Sequence, residues 1–357
     1  MSTKTNIEWT DASWNPVVGC SVTSPGCTNC YAMRSAARLE RIAQAALDKA
    51  KDDGVSDPVI PCAHYLGTTQ PSKAGPVWTG KLALAPDHIL TEPLAWRRPR
   101  RVFVNSMSDL FHESVPDAWI DRVFAVMALA PQHTFQVLTK RAKRMRAYMA
   151  APDRVWSVFA GAKANDPEYR DGARFYDEET PFPWPLPNVW LGVSAEDQSR
   201  ANDRIPDLLA TPAAVRFVSA EPLIGPIDFD DLRPAHNPLR GDPFPLTGRQ
   251  VWPSARGYLD SANATAAFGP ALDWVIVGGE SGPGARPMHP QWARDIRDQC
   301  ATANVPFFFK QWGLWGPSPA ADAIETTGGR IKKFCHKQNA GRRLDGREHN
   351  AMPGDAT

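Results

Sequence analysis

Six short apolar runs of similar form lie along the chain, each rich in β-branched or aromatic residues and each ending in small, polar or charged residues. Continuous apolar runs of this length are typical of strands buried on both faces, as in a parallel sheet. A shorter strand is predicted at 14–20, ahead of the six runs. The six runs are 102–109, 134–141, 189–197, 215–222, 274–281 and 305–312.

Helical patterns lie between these apolar runs. Pro116 opens a helical segment that reaches residue 130, and Pro290 opens another that reaches residue 303. Further helices are predicted at 141–150 and at 198–210, the latter interrupted by Pro206. Repeated alternation of strand and helix indicates βα units around a parallel sheet, so we predict an α/β fold.

Polar side chains collect where the predicted strands end. In barrels and open α/β sheets the ligand site lies at the carboxyl ends of the strands, so we expect a shared active-site face there. The alternative is that any strand leaves a sheet through a polar loop. The strand-end residues are Asn105, Ser106, Ser108, Asp109, Thr139, Lys140, Arg141, Ser194, Glu196, Asp197, Ser219, Glu221, Glu280, Ser281, Lys310 and Gln311.

The length of 357 residues fits one barrel with insertions better than two domains. We predict that residues 1–312 form the barrel and that residues 313–357 form a tail packed on it. The 34 Pro and 25 Gly concentrate in predicted insertions and at strand–helix junctions. The predicted insertions lie at about 40–100, 151–188 and 230–271.

The net charge and the lengths of the apolar runs exclude some classes of protein. Lys and Arg exceed Asp and Glu by 40 − 39 = 1, which argues against a strongly basic nucleic-acid binder. The basic segments 96–101 and 140–146 leave open a local phosphate-contacting rim or two separate solvated patches. The N-terminus has no apolar signal region and no apolar run is long enough to span a membrane, so we expect a cytoplasmic protein.

Three of the six cysteines lie within eleven residues, as Cys20, Cys27 and Cys30 in a C-x6-C-x2-C loop. In a reducing cytosol such a group indicates a metal site before a disulfide. A structural zinc usually takes four ligands, whereas an iron–sulfur cluster with three thiolates leaves one iron open to S-adenosylmethionine. Cys62 and His64 keep a zinc site possible, while Cys300 is predicted to be a core residue and Cys335 a surface thiol.

The chain resembles the phage Gp37/Gp68 family (DUF5131), and its cysteine loop resembles that of radical S-adenosylmethionine enzymes, whose usual loop has three residues in the first gap. The resemblance to the phage family extends over nearly the whole chain. It rests on 6-NIEWTDASWNPVVGCSVTSPGCTNCYA-32, 105-NSMSDLFHE-113, 138-LTKR-141, 191-LGVSAEDQ-198, 219-SAEPLIGPID-228, 273-DWVIVGGESGPGARPMHPQWARDIRDQC-300, 308-FFKQWG-313 and 344-LDGREHNAMP-353.

This resemblance implies a partial (β/α) barrel of the radical-SAM type, with Pro/Gly/Trp-rich insertions. It implies that Cys20, Cys27 and Cys30 hold a [4Fe–4S] cluster that, with S-adenosylmethionine, generates a 5′-deoxyadenosyl radical that abstracts hydrogen from substrate. An external electron donor such as flavodoxin is then expected. The phage association and the basic segments suggest an isomerase-type reaction on a hypermodified pyrimidine in DNA, a base flipped out of the helix.

Strand-end residues are assigned roles on the same resemblance. Glu221 and Lys310 are predicted to be catalytic, because charged groups at buried strand ends are costly unless paired or functional. Asp109 has an alternative role as a cap of the following turn, and Gly279 as part of a tight turn. The predicted cofactor-binding residues are Ser106, Asp109, Lys140, Ser194, Glu196, Gly279 and Glu280.

Two other hypotheses remain at this stage. One is a zinc-stabilised nucleic-acid-binding protein that uses Cys20, Cys27 and Cys30 with Cys62 or His64. The other is a degenerate barrel in which the cluster is only structural. Substrate identity, the step after hydrogen abstraction and the oligomeric state do not follow from the sequence.

Overall fold

A computed structural model describes residues 5, 7–165, 182–232, 243–244, 249–250 and 271–354. The chain divides into two compact units, residues 1–190 and 191–357. Residues 166–181 of the predicted insertion at 151–188, and most of the predicted insertion at 230–271, lie outside the described residues. The prediction of one barrel over 1–312 with a packed tail stays a prediction.

The first unit holds the three-cysteine loop. Its strands are β1 (Ala12–Trp14), β2 (Val17–Val18), β3 (Thr69–Ser72), β4 (Gly75–Trp78), β5 (Ala83–Leu84), β6 (Arg101–Val104) and β7 (Thr134–Thr139). Its helices are α1 (Tyr31–Asp52), α2 (Asp87–Leu90), α3 (Asp117–Leu129), α4 (Ala142–Met149) and α5 (Arg154–Asn165). The unit boundary falls within β8 (Val189–Ser194).

The second unit continues the alternation of strand and helix. Its helices are α6 (Gln198–Leu209), α7 (Pro290–Ala303) and α8 (Lys337–Ala340). Its further strands are β9 (Val215–Ala220), β10 (Pro243–Phe244), β11 (Arg249–Gln250), β12 (Trp274–Gly278), β13 (Phe307–Gln311), β14 (Trp315–Pro317), β15 (Ile324–Thr326) and β16 (Gly329–Lys333).

The predicted parallel sheet is confirmed. Seven strands form one parallel sheet in the order β1-β6-β7-β8-β9-β12-β13. Each of the six apolar runs supplies one of these strands. The seventh strand, β1, overlaps the predicted short strand at 14–20 only at Trp14, whereas β2, which lies inside that range, pairs antiparallel with β5 in a separate sheet. All five side chains of β12 are buried, which is why this strand reads as a continuous apolar run.

Local sequence explains the main helices. Asp197 caps α6, its side chain accepting a hydrogen bond from the backbone N of Arg200 at 2.9 Å. The predicted interruption at Pro206 is wrong, because α6 runs unbroken through that residue. Proline costs one backbone hydrogen bond there, and the buried Ile205, Leu208 and Leu209 hold the apolar face of α6 in place.

The chain after β13 forms the antiparallel sheet β14-β16-β15. Further on, the backbone N of Phe309 donates to the carbonyl of His349 at 2.9 Å. The indole Nε1 of Trp274 donates to the carbonyl of Ala351 at 2.8 Å. Residues 349–351 are thereby bound to β12 and β13. Across the described residues, none of the helices has the length and apolar character that a membrane crossing needs.

Candidate functional site

The three-cysteine loop follows β2 and ends at Cys30, directly before α1. Gly19 precedes it with a φ of +86°, and a Cβ there would lie 2.0 Å from the carbonyl oxygen of Lys81. A side chain is therefore excluded at the entry to the loop. Cys27 closes a 3₁₀ turn, its backbone N donating to the carbonyl of Ser24 at 2.9 Å, and Cys30 is the N-cap residue of α1.

The thiols of this loop are free and lie in a partly buried environment. Burial, with a smaller contribution from the charge of Asp109, raises the pKa of the Cys20 thiol to about 12, and the charge of Arg141 opposes part of this rise. Burial likewise raises the pKa of Cys30. Cys20 and Cys30 both pack against the apolar cluster that includes Met33 and Tyr65. The negative charge of Cys30 adds to the rise of the Cys20 pKa, and that of Cys27 adds to the rise of the Cys30 pKa.

These residues fit an iron–sulfur cluster by the chemistry of their donors. Nowhere in the described part of the chain do three or more His, Cys, Asp or Glu side chains surround the position of a single metal ion. A cluster does not require that arrangement, because its thiolates bind different iron atoms. The positive charges of Arg141 and Lys140 partly oppose the rise that burial gives the pKa of Cys20 and of Cys30 respectively.

Arg141 links the cysteine loop to the ends of β6 and β7. It is buried, and its Nη1 lies 3.0 Å from Asp109 Oδ2 and 3.8 Å from the Cys20 sulfur. Its Nη2 donates to Ser21 Oγ at 2.9 Å and to the Ser21 carbonyl at 3.3 Å, while Nε donates to Glu113 at 3.1 Å. One guanidinium thus fixes the position of the first cysteine.

His112 contacts the same Ser21 hydroxyl that Arg141 binds. Its Nε2 lies 2.7 Å from Ser21 Oγ, and its Nδ1 accepts from the backbone N of Ser114 at 3.1 Å. Nδ1 as acceptor leaves the proton on Nε2, which therefore donates to Ser21. Burial, aided by the charge of Arg141, lowers the pKa of His112, consistent with a neutral imidazole.

The predicted cofactor residues of the first unit lie around this network. Asp109 accepts from Thr139 Oγ1 at 2.6 Å, from the backbone N of Lys140 at 2.9 Å and from that of Phe111 at 3.1 Å. The bond to Phe111 is the turn-capping alternative, so Asp109 both caps the turn and pairs with Arg141. Ser106 Oγ donates to Asn15 Oδ1 at 3.1 Å.

Asn105 was a strand-end residue without an assigned role. It is buried with a φ of +60°, and its Oδ1 accepts from the backbone N of Val17 at 3.2 Å. Its Nδ2 is also buried and finds no hydrogen-bond partner among the described residues. An unpaired buried donor beside the cysteine loop is costly, which marks Asn105 as a candidate ligand contact.

The predicted residues of the second unit are held in three acid–base pairs. Glu196, fully buried, accepts from Arg204 Nη1 at 2.9 Å, and the same Nη1 donates to the carbonyl of Ser194 at 2.8 Å. Glu280 binds Arg286 through both carboxylate oxygens and also accepts from its backbone N at 2.8 Å. Both carboxylates are therefore neutralised locally.

Glu221 and Lys310, the two predicted catalytic residues, form the third pair. The ammonium Nζ of Lys310 lies 2.8 Å from each carboxylate oxygen of Glu221. The pairing of β12 with β13 shifts in register at Gly278, beside Lys310. Glu221 packs against Gly278, because a Cβ at residue 278 would lie 3.1 Å from the Cδ of Glu221. Glu221 is the most exposed carboxylate of the three, with a side chain that is 20% accessible, and the Lys310 side chain is 12% accessible.

The backbone at Gly279, a predicted cofactor-binding residue, packs closely against the backbone at Trp312. A Cβ at this position would lie 2.0 Å from the carbonyl oxygen of Trp312. The close approach of two backbone segments, the tight-turn alternative, thus accounts for the absence of a side chain at residue 279.

The family model described as "Protein of unknown function (DUF5131)" matches residues 4–353. The chain belongs to the DUF5131 family. Comparison with curated proteins and with solved structures gives no match to this DUF5131 protein. Its candidate site therefore has to be interpreted from its own residues.

The structure brings together some of the predicted site residues. Cys20, Asp109 and the backbone of Lys140 meet around Arg141, and Glu221 meets Lys310. Ser21 and His112 were not predicted as site residues, because their local sequence resembles that of ordinary loop residues. Asn105 was expected at the strand-end face but had no assigned role. The shared face at the strand ends stays a prediction.

Proposed function

We propose that this DUF5131 protein is a radical S-adenosylmethionine enzyme with a partial (β/α) barrel of that type, acting in the cytoplasm of a phage-infected cell. The observation that carries the proposal is the three-thiol loop with its buried arginine. Three thiolates suit a [4Fe–4S] cluster with one open iron, whereas a closed structural zinc site takes four ligands.

Cys20, Cys27 and Cys30 would hold the cluster. When bound with S-adenosylmethionine, this group supplies a carbon radical that abstracts hydrogen from substrate. Arg141 and His112 fix the loop through Ser21, and Arg141 places positive charge beside the Cys20 sulfur. Asn105 Nδ2 is a donor available to a bound polar group.

Glu221 and Lys310 would act on the substrate. Their ion pair can hold or move a proton between Nζ and a carboxylate oxygen at 2.8 Å, and its partial exposure leaves it accessible. We propose a nucleic acid or modified nucleotide as substrate, with a hypermodified pyrimidine of phage DNA the first to test. The reaction on it would be of the isomerase type.

A second candidate is a zinc-stabilised nucleic-acid-binding protein. Cys62 packs against the same apolar cluster as Cys20 and Cys30, a cluster that includes Tyr65 and Met33. His64 Nε2 is buried with no hydrogen-bond partner among the described residues, so this nitrogen is available as a metal ligand. Zinc bound by these groups would not require S-adenosylmethionine.

Anaerobic reconstitution with iron and sulfide separates the two candidates. The proposed enzyme is expected to bind iron and sulfide, to absorb broadly in the visible range and to form 5′-deoxyadenosine with dithionite and S-adenosylmethionine. Cys20→Ser, Cys27→Ser and Cys30→Ser should abolish iron binding, while Cys300→Ser, Cys335→Ser and Cys62→Ser should retain it. One tightly bound zinc that Cys62→Ser removes, without 5′-deoxyadenosine, would refute the enzyme.

A further inference from the structure

Helix α1 carries a row of exposed side chains that starts at the cysteine loop. Tyr31, Arg34, Arg38 and Arg41 are all exposed. At 3.6 residues per turn their side chains fall within an arc of about 80° on the helix, over a length of about 15 Å. The opposite face of α1 packs inward through Ala32, Met33, Ala36 and Ala43. We call the four exposed residues the α1 stripe.

The charge of the α1 stripe is not neutralised by nearby carboxylates. None of its three arginines takes part in an ion pair within the described part of the chain, and Arg41 Nε bonds only the Ala37 carbonyl of its own helix. Glu40 is the one acidic residue in the first three turns of α1. Its carboxylate instead accepts from the backbone N atoms of Gly67, at 2.6 Å, and Thr69, at 3.1 Å.

Two exposed hydrophobic side chains stand at the cysteine end of the stripe. Val22, between Cys20 and Cys27, is 52% accessible, and Tyr31, directly after Cys30, is 51% accessible. The Tyr31 hydroxyl donates to the carbonyl of Ser106 at 3.1 Å, which fixes the ring. The exposed apolar side chains thus belong to the cysteine loop and the first residue of α1, and the exposed cations belong to the turns of α1 that follow.

We infer that the α1 stripe with Val22 is the docking surface for a small acidic one-electron carrier protein, an inference that rests on the proposed function. A bound cluster has to receive electrons, and a carrier seated here would lie against the loop that holds it. Transient electron-transfer contacts are small, and complementary charge speeds their formation. Aliphatic Val22 offers nothing to a phosphate backbone, which favours a protein over a nucleic acid.

The test measures docking and reduction separately in the full-length chain. The probe is a bacterial flavodoxin, and the variant is Arg34→Glu with Arg38→Glu. The matched control is Arg97→Glu with Arg98→Glu, since these two arginines are also exposed but lie outside the stripe. The Kd for flavodoxin is measured at low and high salt, with and without reconstituted iron. The rate of cluster reduction is measured with flavodoxin and with dithionite.

The stripe variant is expected to bind flavodoxin about tenfold more weakly at low salt and to be reduced by it about tenfold more slowly. Its reduction by dithionite and its iron content should match the wild type, and the control variant should stay within about twofold. The inference would be overturned if the wild type did not bind flavodoxin, or if both double variants lost the same amount of flavodoxin affinity. It would also be overturned if the stripe variant bound duplex DNA more weakly than the wild type but bound flavodoxin equally well. Lack of iron in a wild type that still binds flavodoxin would instead refute the proposed function.

Discussion

Nη1 of Arg141 lies 3.8 Å from the sulfur of Cys20, across 121 residues of sequence. The same nitrogen lies 3.0 Å from the buried carboxylate of Asp109. The guanidinium therefore pairs with a buried carboxylate and contacts the Cys20 sulfur at once, and its positive charge opposes the rise that burial gives the pKa of Cys20. In the proposed cluster site, Arg141 would not bind iron itself but would orient Cys20, the residue proposed to bind it.

Arg141→Gln is expected to lower the free energy of unfolding by about 3–5 kcal/mol, because it leaves Asp109 buried and unpaired. Urea unfolding of the metal-free protein measures this loss. Lys143→Gln, at an exposed position of α4, the helix that begins directly after Arg141, is the control and should change stability by less than about 0.5 kcal/mol. Arg141→Gln combined with Asp109→Asn should recover part of the loss. If the double variant were no more stable than the single one, the pairing would not explain the effect.

Gly19→Ala is expected to disrupt the entry to the cysteine loop. The new Cβ would meet the Lys81 carbonyl oxygen at 2.0 Å in a residue whose φ is +86°. Left-handed backbone and overpacking together predict a cost of about 3–5 kcal/mol. Gly54→Ala is the matched control, since Gly54 has a φ of +68° but nothing within 4 Å of its Cβ position, so it should cost only about 1–2 kcal/mol. Equal costs in thermal unfolding would show that the close contact is unimportant.

Glu221 and Lys310 are expected to be coupled energetically. A double-mutant cycle with Glu221→Gln and Lys310→Met should give a coupling energy of about 1–3 kcal/mol, because the pair is largely shielded from solvent. The same cycle on Glu325 and Arg330, whose side chains are 77% and 39% accessible, should give less than about 1 kcal/mol. If the two cycles gave the same coupling energy in urea unfolding, burial would not strengthen the Glu221–Lys310 pair.

The sequence predicted the parallel strands because both faces of each strand are buried, which leaves a continuous apolar run such as 274–278. The partners of the strand-end acids could not be predicted in the same way. Arg286 binds Glu280 from six residues away, and Lys310 reaches Glu221 across 89 residues. Such pairings depend on loop geometry and strand order, which local periodicity does not encode. The continuity of α6 through Pro206 likewise depends on packing.

Asp345 gives a pH-dependent contribution to stability whose sign is fixed by its partners. Hydrogen bonds from Arg294 and then from Arg297 lower its pKa from 3.8 to about 2, at distances of 2.8 Å and 2.6 Å. A carboxyl group whose pKa is lower in the folded than in the unfolded protein stabilises the fold at pH values above its unfolded pKa. This contribution is lost as the pH falls from about 4 to about 2. Because the side chain is 40% accessible, its contribution at pH 7 should be only about 1 kcal/mol.

Asp345→Asn tests this contribution without changing the backbone preference, because asparagine also tolerates the φ of +51° found here. The variant should be less stable than the wild type at pH 7, and the difference in the free energy of unfolding should shrink between pH 4 and pH 2. Asp322→Asn, at an exposed aspartate 3.8 Å from Lys332, is the control and should differ by less than about 0.5 kcal/mol at each pH. A difference for Asp345→Asn that stayed constant with pH would show that the two arginines do not stabilise the charged form.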